Sequence, residues 1–369
     1  MLLQKGEFMK TATITYHNVY NYGALLQAYA LQQAQLKLSL DNEIIDFSYD
    51  KNRMYTLTEG RSIKIWIVNI LRLLESLRDY FSIRRRCKRF EEFTKKKLRL
   101  TSKYLSLEEL KANPPKADIY ITGGDQLWNI TSPIKRAFFL DFGKKETKRA
   151  SFAVSMGSCE LPNHLRKEIY ALLNNISHIS VREAKAKADL EELLDKKDFV
   201  QVHLDPVFLL SRDEWIDFAA FRGIKDKYIL CYPMSGNPQL MKGLKKLKKL
   251  TNYKIVVLSS EVFARVKGDY YIKDASVEEF VYLISHAEYV MTTSFHGTAF
   301  SILFNKNFYS FIGDKERRIT WLLKKLGLEN RMIGNINAIT LEDIDYGNVN
   351  EIIEKERKAA YRYLMDITK

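Results

Sequence analysis

The 369-residue chain is poor in cysteine, proline and glycine, with three, seven and sixteen of them respectively. Three cysteines do not form a disulfide framework, which favours a reducing compartment. No stretch approaches the ~18 uncharged apolar residues of a membrane-spanning helix. The first eight residues, MLLQKGEF, also lack the apolar core of a secretory signal. We therefore expect a cytoplasmic protein.

Several chemical motifs are absent as well. The sequence contains no CxxC pair and no HExxH, and its six histidines lack metal-ligand spacing, so we expect no metal ion and no cofactor. It has neither a P-loop nor a dinucleotide-binding GxGxxG. The lack of a GxSxG elbow argues against a serine hydrolase.

The composition is that of a folded protein, at 46% hydrophobic and 28% charged residues. The length exceeds the ~250–300 residues at which single cores usually divide, so two domains are expected. The net charge of +14 suggests an anionic partner: nucleic acid, a membrane surface or a small molecule.

More than half of that charge excess lies in residues 84–103, which hold ten basic and two acidic residues. Apolar residues recur at helical spacing before this segment, and we expect Phe90 and Phe93 to continue the pattern. The earlier apolar positions are Ile63, Trp66, Ile67, Ile70, Leu74, Leu77 and Phe81. Residues 62–98 are thus predicted to form one long or two shorter helices, apolar on one face and basic on the other.

Two interpretations of this segment stay open. It could be a helical insertion packed on its domain, or residues 62–103 could meet anionic lipid head groups or a lipid-linked substrate at the membrane, as a peripheral protein. Nucleic acid ranks last, because no aromatic-interleaved basic strand or recognition helix is present. We expect no nucleic-acid partner.

The rest of the chain alternates predicted strands and helices, which indicates an α/β protein with two doubly wound, Rossmann-like domains facing a cleft. We expect a first domain over residues 1–210, with a basic helical insertion at about 51–111. The second domain covers 211–345. A helix within 346–369 is expected to pack back toward the first domain. Ligands of such sheets bind beyond the carboxyl ends of the strands.

Two strand ends of the first half carry candidate ligand-binding residues. Asn21 and Gly23 suit a tight strand-to-helix turn whose amides can hold an anion or a hydroxyl. In the next, Gly124 permits close approach of a ligand, and Asp125 can accept a proton or hydrogen bond from a sugar hydroxyl. Trp128 could offer a flat face to a sugar ring, or it could be a buried core residue.

Two further strand ends carry cationic or proton-donating groups. Arg182 could bind a carboxylate or phosphate with two parallel hydrogen bonds, or it could be paired with Glu183 or Asp205. The other candidates lie at a strand-to-helix junction, where His296 could donate a proton. Its neighbours Ser294, Gly297 and Thr298 supply hydroxyls and an amide.

Taken in order, these segments resemble the polysaccharide pyruvyl transferase family from about Met9 to Leu364. The residues that carry the resemblance are Asn21-Tyr22-Gly23-Ala24-Leu25-Leu26-Gln27, Gly124-Asp125-Gln126-Leu127-Trp128-Asn129, Ser180-Val181-Arg182-Glu183, Asp205-Pro206, Ser294-Phe295-His296-Gly297, and Arg318 before Leu322-Leu323. Each motif is weak alone, but six in the expected order are specific.

The resemblance implies a fold similar to GT-B glycosyltransferases and transfer of a pyruvyl group from phosphoenolpyruvate. The acceptor would be a sugar of a bacterial surface glycan, free or lipid-linked, and the product a cyclic ketal. Arg182 and Arg318, with Ser294, Gly297 and Thr298, would bind the donor. His296 would be the general acid and Asp125 would orient or deprotonate the acceptor. The remaining acceptor contacts would come from Asn21, Gly23, Gln27, Gly124, Gln126 and Trp128.

Two other functions stay open from the sequence. One is a glycosyltransferase of the same fold that uses a nucleotide sugar. The other is a non-enzymatic protein that binds polyanions or a membrane surface through residues 84–103. We also expect Met9 to be the natural start, because the codons for residues 5–8 could encode a ribosome-binding sequence.

Overall fold

Two parallel β-sheets, each covered by helices, organise the computed structural model of this chain. The structure describes residues 8–48, 63–130, 134–157, 161–234, 237–259, 266–313 and 316–369, with side chains from Asp79 onward in the second range. Residues 1–7, on which the expected start at Met9 depends, lie outside this description. The beginning of the expected insertion, residues 51–62, lies outside it as well.

The described part of the first domain contains seven strands. They are β1 (Lys10–Ile14), β2 (Asp41–Phe47), β3 (Leu100–Tyr104), β4 (Ile119–Gly123), β5 (Lys148–Phe152), β6 (Ile179–Val181) and β7 (Val200–Val202). Five of them form a sheet in the order β3-β2-β1-β4-β5, and the β6-β7 pair continues beside β5. All pairs are parallel, with Lys10 opposite Asp41 and Thr11 opposite Ile119.

The helices of this domain are α1 (Tyr22–Lys37), α2 (Ile63–Lys97), α3 (Leu107–Ala112), α4 (Arg166–Leu173) and α5 (Ala184–Leu194). Strand β4 is buried along its whole length, as expected for a parallel strand covered on both faces. β3 and α3 lie within the range we expected to be an insertion. Because β3 pairs with β2, that part of the range belongs to the sheet.

The second domain repeats the arrangement with β8 (Tyr228–Tyr232), β9 (Lys254–Leu258), β10 (Tyr270–Ile272), β11 (Tyr289–Thr292) and β12 (Asn307–Ser310) in the order β10-β9-β8-β11-β12. Its helices are α6 (Arg212–Phe218), α7 (Pro238–Thr251), α8 (Val277–Ser285), α9 (Phe295–Leu303) and α10 (Arg317–Lys325). In both sheets the winding direction reverses next to the first strand, between β1 and β4 and between β8 and β11. A doubly wound sheet opens its ligand crevice at this position.

The last helix, α11 (Gly347–Asp366), packs against the first domain. The Tyr363 hydroxyl donates to the Ser151 carbonyl at 2.8 Å, and Arg357 donates to the Phe208 carbonyl at 2.8 Å. Tyr363 and Leu364 share an apolar cluster with Ile121 of β4. The chain therefore crosses between the domains twice.

Helix α2 is one continuous helix, and its buried face is not the one we expected. Phe81 is 75% exposed, whereas Phe90 and Phe93 are 2% exposed. Phe90 follows Phe81 by about two and a half turns and so lies on the opposite side of the helix. Phe90 and Phe93 therefore do not continue the earlier apolar stripe; they form a second stripe that packs on the protein.

Part of the basic segment in α2 joins the two domains. Arg85 donates to the Asp274 carboxylate at 2.8 Å, and Arg89 donates to Glu279 at 2.7 Å. The buried Arg86 donates to the Ser259 carbonyl at 3.0 Å. These three charges are used within the molecule, which reduces the free basic surface. No helix among the described residues is long and apolar enough to span a bilayer.

The contact between the domains is apolar around Tyr22, the first residue of α1. Its ring is 1% exposed and stacks on Phe280 of α8, with the centroids 4.6 Å apart. Its hydroxyl donates to the Ala275 carbonyl at 2.9 Å. This side chain fixes the carboxyl-terminal edge of β1 against the second domain.

We expect Tyr22→Ala to lower the free energy of unfolding by about 3–5 kcal/mol, because it removes a buried ring and leaves a cavity between the domains. Tyr22→Phe keeps the ring and loses one hydrogen bond, so it should cost about 1 kcal/mol. Urea unfolding of both variants measures this difference. Equal losses would show that the ring does not stabilise the interface.

His203 is a second buried group, held between the first sheet and α11. Its Nδ1 lies 2.7 Å from the Ser180 hydroxyl, and its ring centroid lies 4.8 Å from that of Tyr363. Burial lowers the pKa of this imidazole from 6.5 to about 4. The folded protein therefore keeps His203 neutral at a pH where the unfolded chain protonates it.

This difference predicts a loss of stability in acid. As the pH falls from about 6.5 to about 4, the unfolded state takes up the proton first. Protonation of His203 in the unfolded state should therefore lower the free energy of unfolding by on the order of 3 kcal/mol. The contribution should stop changing below about pH 4. Urea unfolding of wild type and His203→Gln across this range isolates it. A variant with the same pH slope as wild type would contradict the assignment.

Candidate functional site

Charged side chains from both domains meet where the carboxyl ends of the two sheets face each other. We name these residues the interdomain cluster: Asp125, Arg182, Asp205, His296 and Arg318. The first three follow β4, β6 and β7, and His296 and Arg318 lie in the first turns of α9 and α10. The cluster therefore occupies the position where a two-domain enzyme of this architecture binds its ligands.

Arg182 is at the centre of the cluster and is only 1% exposed. It donates through Nη2 to Asp125 Oδ1 at 2.6 Å, through Nη1 to Asp205 Oδ2, and through Nε to Glu183 Oε1 at 3.4 Å. The Phe295 ring covers the guanidinium at 4.4 Å. The expected donor-binding role of Arg182 does not fit this geometry, because the side chain is almost fully buried and all three of its nitrogens donate to the protein's own carboxylates. The ion-paired alternative is the one observed.

Arg318 connects the second domain to Asp125 in the first. Its Nη1 donates to Asp125 Oδ1 at 2.9 Å, while Nε and Nη2 donate to Glu316 at 3.0 and 2.9 Å. The Gln126 amide, with its oxygen toward Arg318, accepts from Nη1 and Nη2 at 2.7 and 3.1 Å. The Arg318 side chain is 13% exposed, so it is more open to a ligand than Arg182.

His296 completes the cluster from the second domain. Its Nε2 lies 3.6 Å from Asp205 Oδ2 and is buried without a hydrogen-bond partner among the described residues. The ring lies directly against Gly23 at the start of α1. A Cβ atom at Gly23 would stand 2.0 Å from His296 Nδ1. Glycine at this position therefore allows the histidine to enter the cluster.

The charges of the cluster shift the pKa values of its carboxyl groups. Burial raises the pKa of Asp125, but the Arg182 and Arg318 guanidiniums outweigh it and hold the pKa far below its usual range. For Asp205, burial is likewise outweighed by Arg182 and His296, so the pKa is lowered. Both carboxyl groups are therefore ionised at neutral pH.

Glu183 behaves differently, because burial dominates and raises its pKa. Its Oε1 accepts from the Ser155 hydroxyl at 2.5 Å, and its Oε2 is buried without a hydrogen-bond partner among the described residues.

Among the described residues, no group of three or more His, Cys, Asp or Glu side chains is placed to hold a metal ion.

A second close approach shapes the turn after β4. Gly124 has a φ of +115°, and a Cβ atom there would lie 1.9 Å from Gln27 Oε1. The Gln27 amide donates to the Thr15 hydroxyl at 2.7 Å, which leaves its buried oxygen without a partner among the described residues. Gly124 and Gln27 thus set the distance between α1 and the turn that carries Asp125.

Several expected ligand contacts are used within the protein. Asn21 caps α1 by accepting from the Ala24 amide at 3.1 Å, and Ser294 caps α9 by accepting from the Gly297 amide at 3.3 Å. The Thr298 hydroxyl donates to the Ser294 carbonyl at 3.0 Å. These groups stabilise the helix starts that position Gly23 and His296.

The structure is inconsistent with Trp128 as a stacking face for a sugar. Its side chain is 1% exposed, it stacks on Phe139 at 5.1 Å, and its indole nitrogen donates to the Phe138 carbonyl at 3.0 Å. Trp128 is instead a core residue that supports the turn after β4.

Three contributors to the site were given no ligand-binding or catalytic role from the sequence. Asp205 was noted as a possible partner of Arg182 and as part of the Asp205-Pro206 motif. Phe295 covers both guanidiniums, at 4.4 Å from Arg182 and 5.8 Å from Arg318. Nothing in the sequence distinguished Glu316 from other acidic residues near a helix start.

Comparison with known proteins places this geometry in context. The family model described as "Polysaccharide pyruvyl transferase" matches residues 21–314, which confirms the family resemblance; Arg318 lies just beyond the matched range. No curated protein sequence matches the chain.

Solved structures are similar in fold at low sequence identity. A Listeria monocytogenes protein assigned as a UDP-N-acetylglucosamine 2-epimerase aligns over 97% of this chain and 90% of its own, with a TM-score of 0.52 and 10% identity. The Methanocaldococcus jannaschii UDP-GlcNAc 2-epimerase bound to UDP-GlcNAc and UDP aligns over 98% of this chain and 99% of its own, with a TM-score of 0.49 and 14% identity. An alpha-glucosyltransferase bound to UDP and DNA aligns over 97% of this chain and 95% of its own, with a TM-score of 0.49 and 9% identity. The expected two-domain, GT-B-like fold is confirmed.

We expect Gly23→Ala to destabilise the protein by about 1–3 kcal/mol, because the new methyl group overlaps the His296 ring and must displace it. His296→Ala should relieve most of this cost in the double variant. Urea unfolding of the four proteins of this cycle measures the coupling. Gly334→Ala is the matched control, since a Cβ atom there has no neighbour within 4 Å. An additive double variant would mean that the two residues do not touch in solution.

Proposed function

Because the chain belongs to the polysaccharide pyruvyl transferase family, we propose that it transfers the pyruvyl group of phosphoenolpyruvate to two hydroxyls of one sugar. The acceptor is a precursor of a bacterial surface glycan, such as a capsular polysaccharide or exopolysaccharide. The observation that carries this proposal is the interdomain cluster, in which a partly accessible arginine, a buried histidine and an ionised aspartate lie at the meeting point of the two domains.

Arg318 is the donor-binding residue in this proposal. Phosphoenolpyruvate presents a carboxylate and a phosphate, and a guanidinium binds either with two parallel hydrogen bonds. Asp125 and Glu316 now occupy Arg318. An incoming anion therefore replaces Asp125 on Arg318, which requires the two domains to separate slightly at this contact.

Arg182 has a positioning role rather than a donor-binding role. It holds Asp125, after β4, and Asp205, after β7, through two of its three nitrogens. Asp205 in turn faces His296 Nε2 at 3.6 Å, where its negative charge attracts an imidazolium. The Arg182 guanidinium thus positions Asp125, the proposed base, and Asp205, which faces the proposed acid His296.

His296 supplies the proton to the donor. Transfer from Nε2 to the methylene carbon makes the methyl group and leaves a cationic centre at the carbon that bears the phosphate oxygen. One sugar hydroxyl adds to this centre and releases its proton to Asp125. Loss of phosphate followed by addition of the second hydroxyl closes the ketal.

The atoms of this sequence balance. Two hydroxyl protons are released; one replaces the proton that His296 gave to the methyl group, and the other leaves on the phosphate. The products are the ketal, which keeps the carboxylate, and hydrogen phosphate. Donor binding also makes Asp125 a stronger base, because it removes Arg318, one of the cations that lower its pKa.

We expect phosphoenolpyruvate, but not UDP-GlcNAc, to stabilise the protein against thermal unfolding, by about 2.7 kcal/mol at a hundred times its Kd. Arg318→Gln should abolish this stabilisation, whereas the control Lys324→Gln on the same helix should retain it. His296→Ala should retain donor binding but lower phosphate release with a glycan acceptor by about 10²–10⁴-fold.

Thermal-shift assays and phosphate release over a panel of free and lipid-linked glycans provide these measurements. Stabilisation by UDP-GlcNAc alone would contradict the proposal and favour a glycosyltransferase. Full turnover by His296→Ala would contradict its role as the acid.

A further inference from the structure

Helix α2 carries an exposed stripe that the proposed chemistry does not use. Phe81 is 75% exposed and forms an edge contact with Tyr80, which is itself 48% exposed. Arg84, Lys88 and Lys95 are exposed. Around the helix axis, each of them lies within about 60° of Phe81, so the four side chains share one face. We name Phe81, Arg84, Lys88 and Lys95 the α2 stripe.

The stripe lies opposite the face of α2 that packs on the protein. Phe90 and Phe93, which are buried, point to the other side of the helix. In sequence, the apolar positions Ile63 and Ile70 of the same helix recur in helical phase with Phe81.

The cations of the stripe are exposed to solvent, unlike Arg86 and Arg89 on the inner side of α2. The Lys88 side chain is 77% exposed, and its nearest acid is Glu92, at 3.9 Å. Glu91 accepts from the Tyr20 hydroxyl at 3.0 Å. Lys96 also lies near Glu92, at 3.5 Å, while exposed Lys97 adds to the positive charge at the carboxyl end of the helix.

From this arrangement we infer that the α2 stripe docks on an anionic lipid bilayer, with Phe81 entering the interface and the cations contacting lipid head groups. An exposed aromatic residue beside a row of lysine and arginine matches the two attractions of such a surface, apolar burial and negative potential. A second copy of this chain would bring two rows of like charge together, which disfavours self-association.

Docking places the candidate site beside the membrane. Thr94 of α2 donates to the His17 carbonyl at 3.2 Å, in the turn that leads to Gly23, and Arg89 binds Glu279 of the second domain. The helix therefore contacts both domains close to the turn that carries Gly23. If the proposed function holds, this orientation suits an acceptor carried on a lipid; membrane binding itself is independent of that function.

Co-sedimentation of the full chain with vesicles tests the inference without donor or acceptor. Vesicles of phosphatidylglycerol and phosphatidylcholine should bind the protein, phosphatidylcholine alone should bind it far less, and high salt should weaken binding. No binding to the anionic vesicles would overturn the inference.

Variants locate the surface. Phe81→Ser should weaken vesicle binding by roughly tenfold, and Arg84→Gln/Lys88→Gln/Lys95→Gln by roughly a hundredfold. The matched controls are Phe221→Ser, at a site 72% exposed, and Lys242→Gln/Lys245→Gln/Lys249→Gln on α7. Both should bind like wild type.

Thermal unfolding should be unchanged in all four variants, since every substituted side chain is exposed. Controls that weaken binding as much as the stripe variants would assign binding to net charge and overturn the inference. Tighter, stripe-dependent binding to duplex DNA, or a stripe-dependent dimer in gel filtration, would also overturn it.

Discussion

The candidate site depends on one buried cation, the Arg182 guanidinium. An isolated charge in the interior would cost several kcal/mol, so its place is tolerated only because Asp125, Asp205 and Glu183 surround it. The same contacts fix two carboxylates, Asp125 and Asp205, at the ends of β4 and β7. Once these are placed, Asp125 meets Arg318 and Asp205 meets His296, and both partners come from the other domain.

Closure of the two domains combines this polar contact with an apolar one. Tyr22 stacks on Phe280 beside the cluster, and the absence of a side chain at Gly23 gives His296 room. Farther out, Arg89 of α2 holds Glu279. Ion pairs that join surfaces in this way can exchange partners, as the proposed binding of the donor at Arg318 requires, while the apolar contact holds the domains together.

The sequence predicted the fold well because buried parallel strands are continuous apolar runs with turn residues at their ends. The family motifs mark the strand ends that form the site. The position of β3 in the sheet was missed, because its pairing with β2 depends on contacts distant in sequence.

Side-chain environments were less predictable than the fold. Local pattern does not distinguish an arginine that awaits a ligand from one enclosed by carboxylates, as Arg182 is, or a surface tryptophan from the buried Trp128. The phase of α2 could have been read from the sequence, because the spacing from Phe81 to Phe90 already places them on opposite sides.

The most direct test of the account is a crystal structure of the protein with phosphoenolpyruvate bound. The account predicts the ligand between the domains, with an anionic group on Arg318, its methylene carbon facing His296 Nε2, and Asp125 released from Arg318 but still held by Arg182. Phosphoenolpyruvate bound elsewhere, with the Asp125–Arg318 ion pair intact, would contradict it.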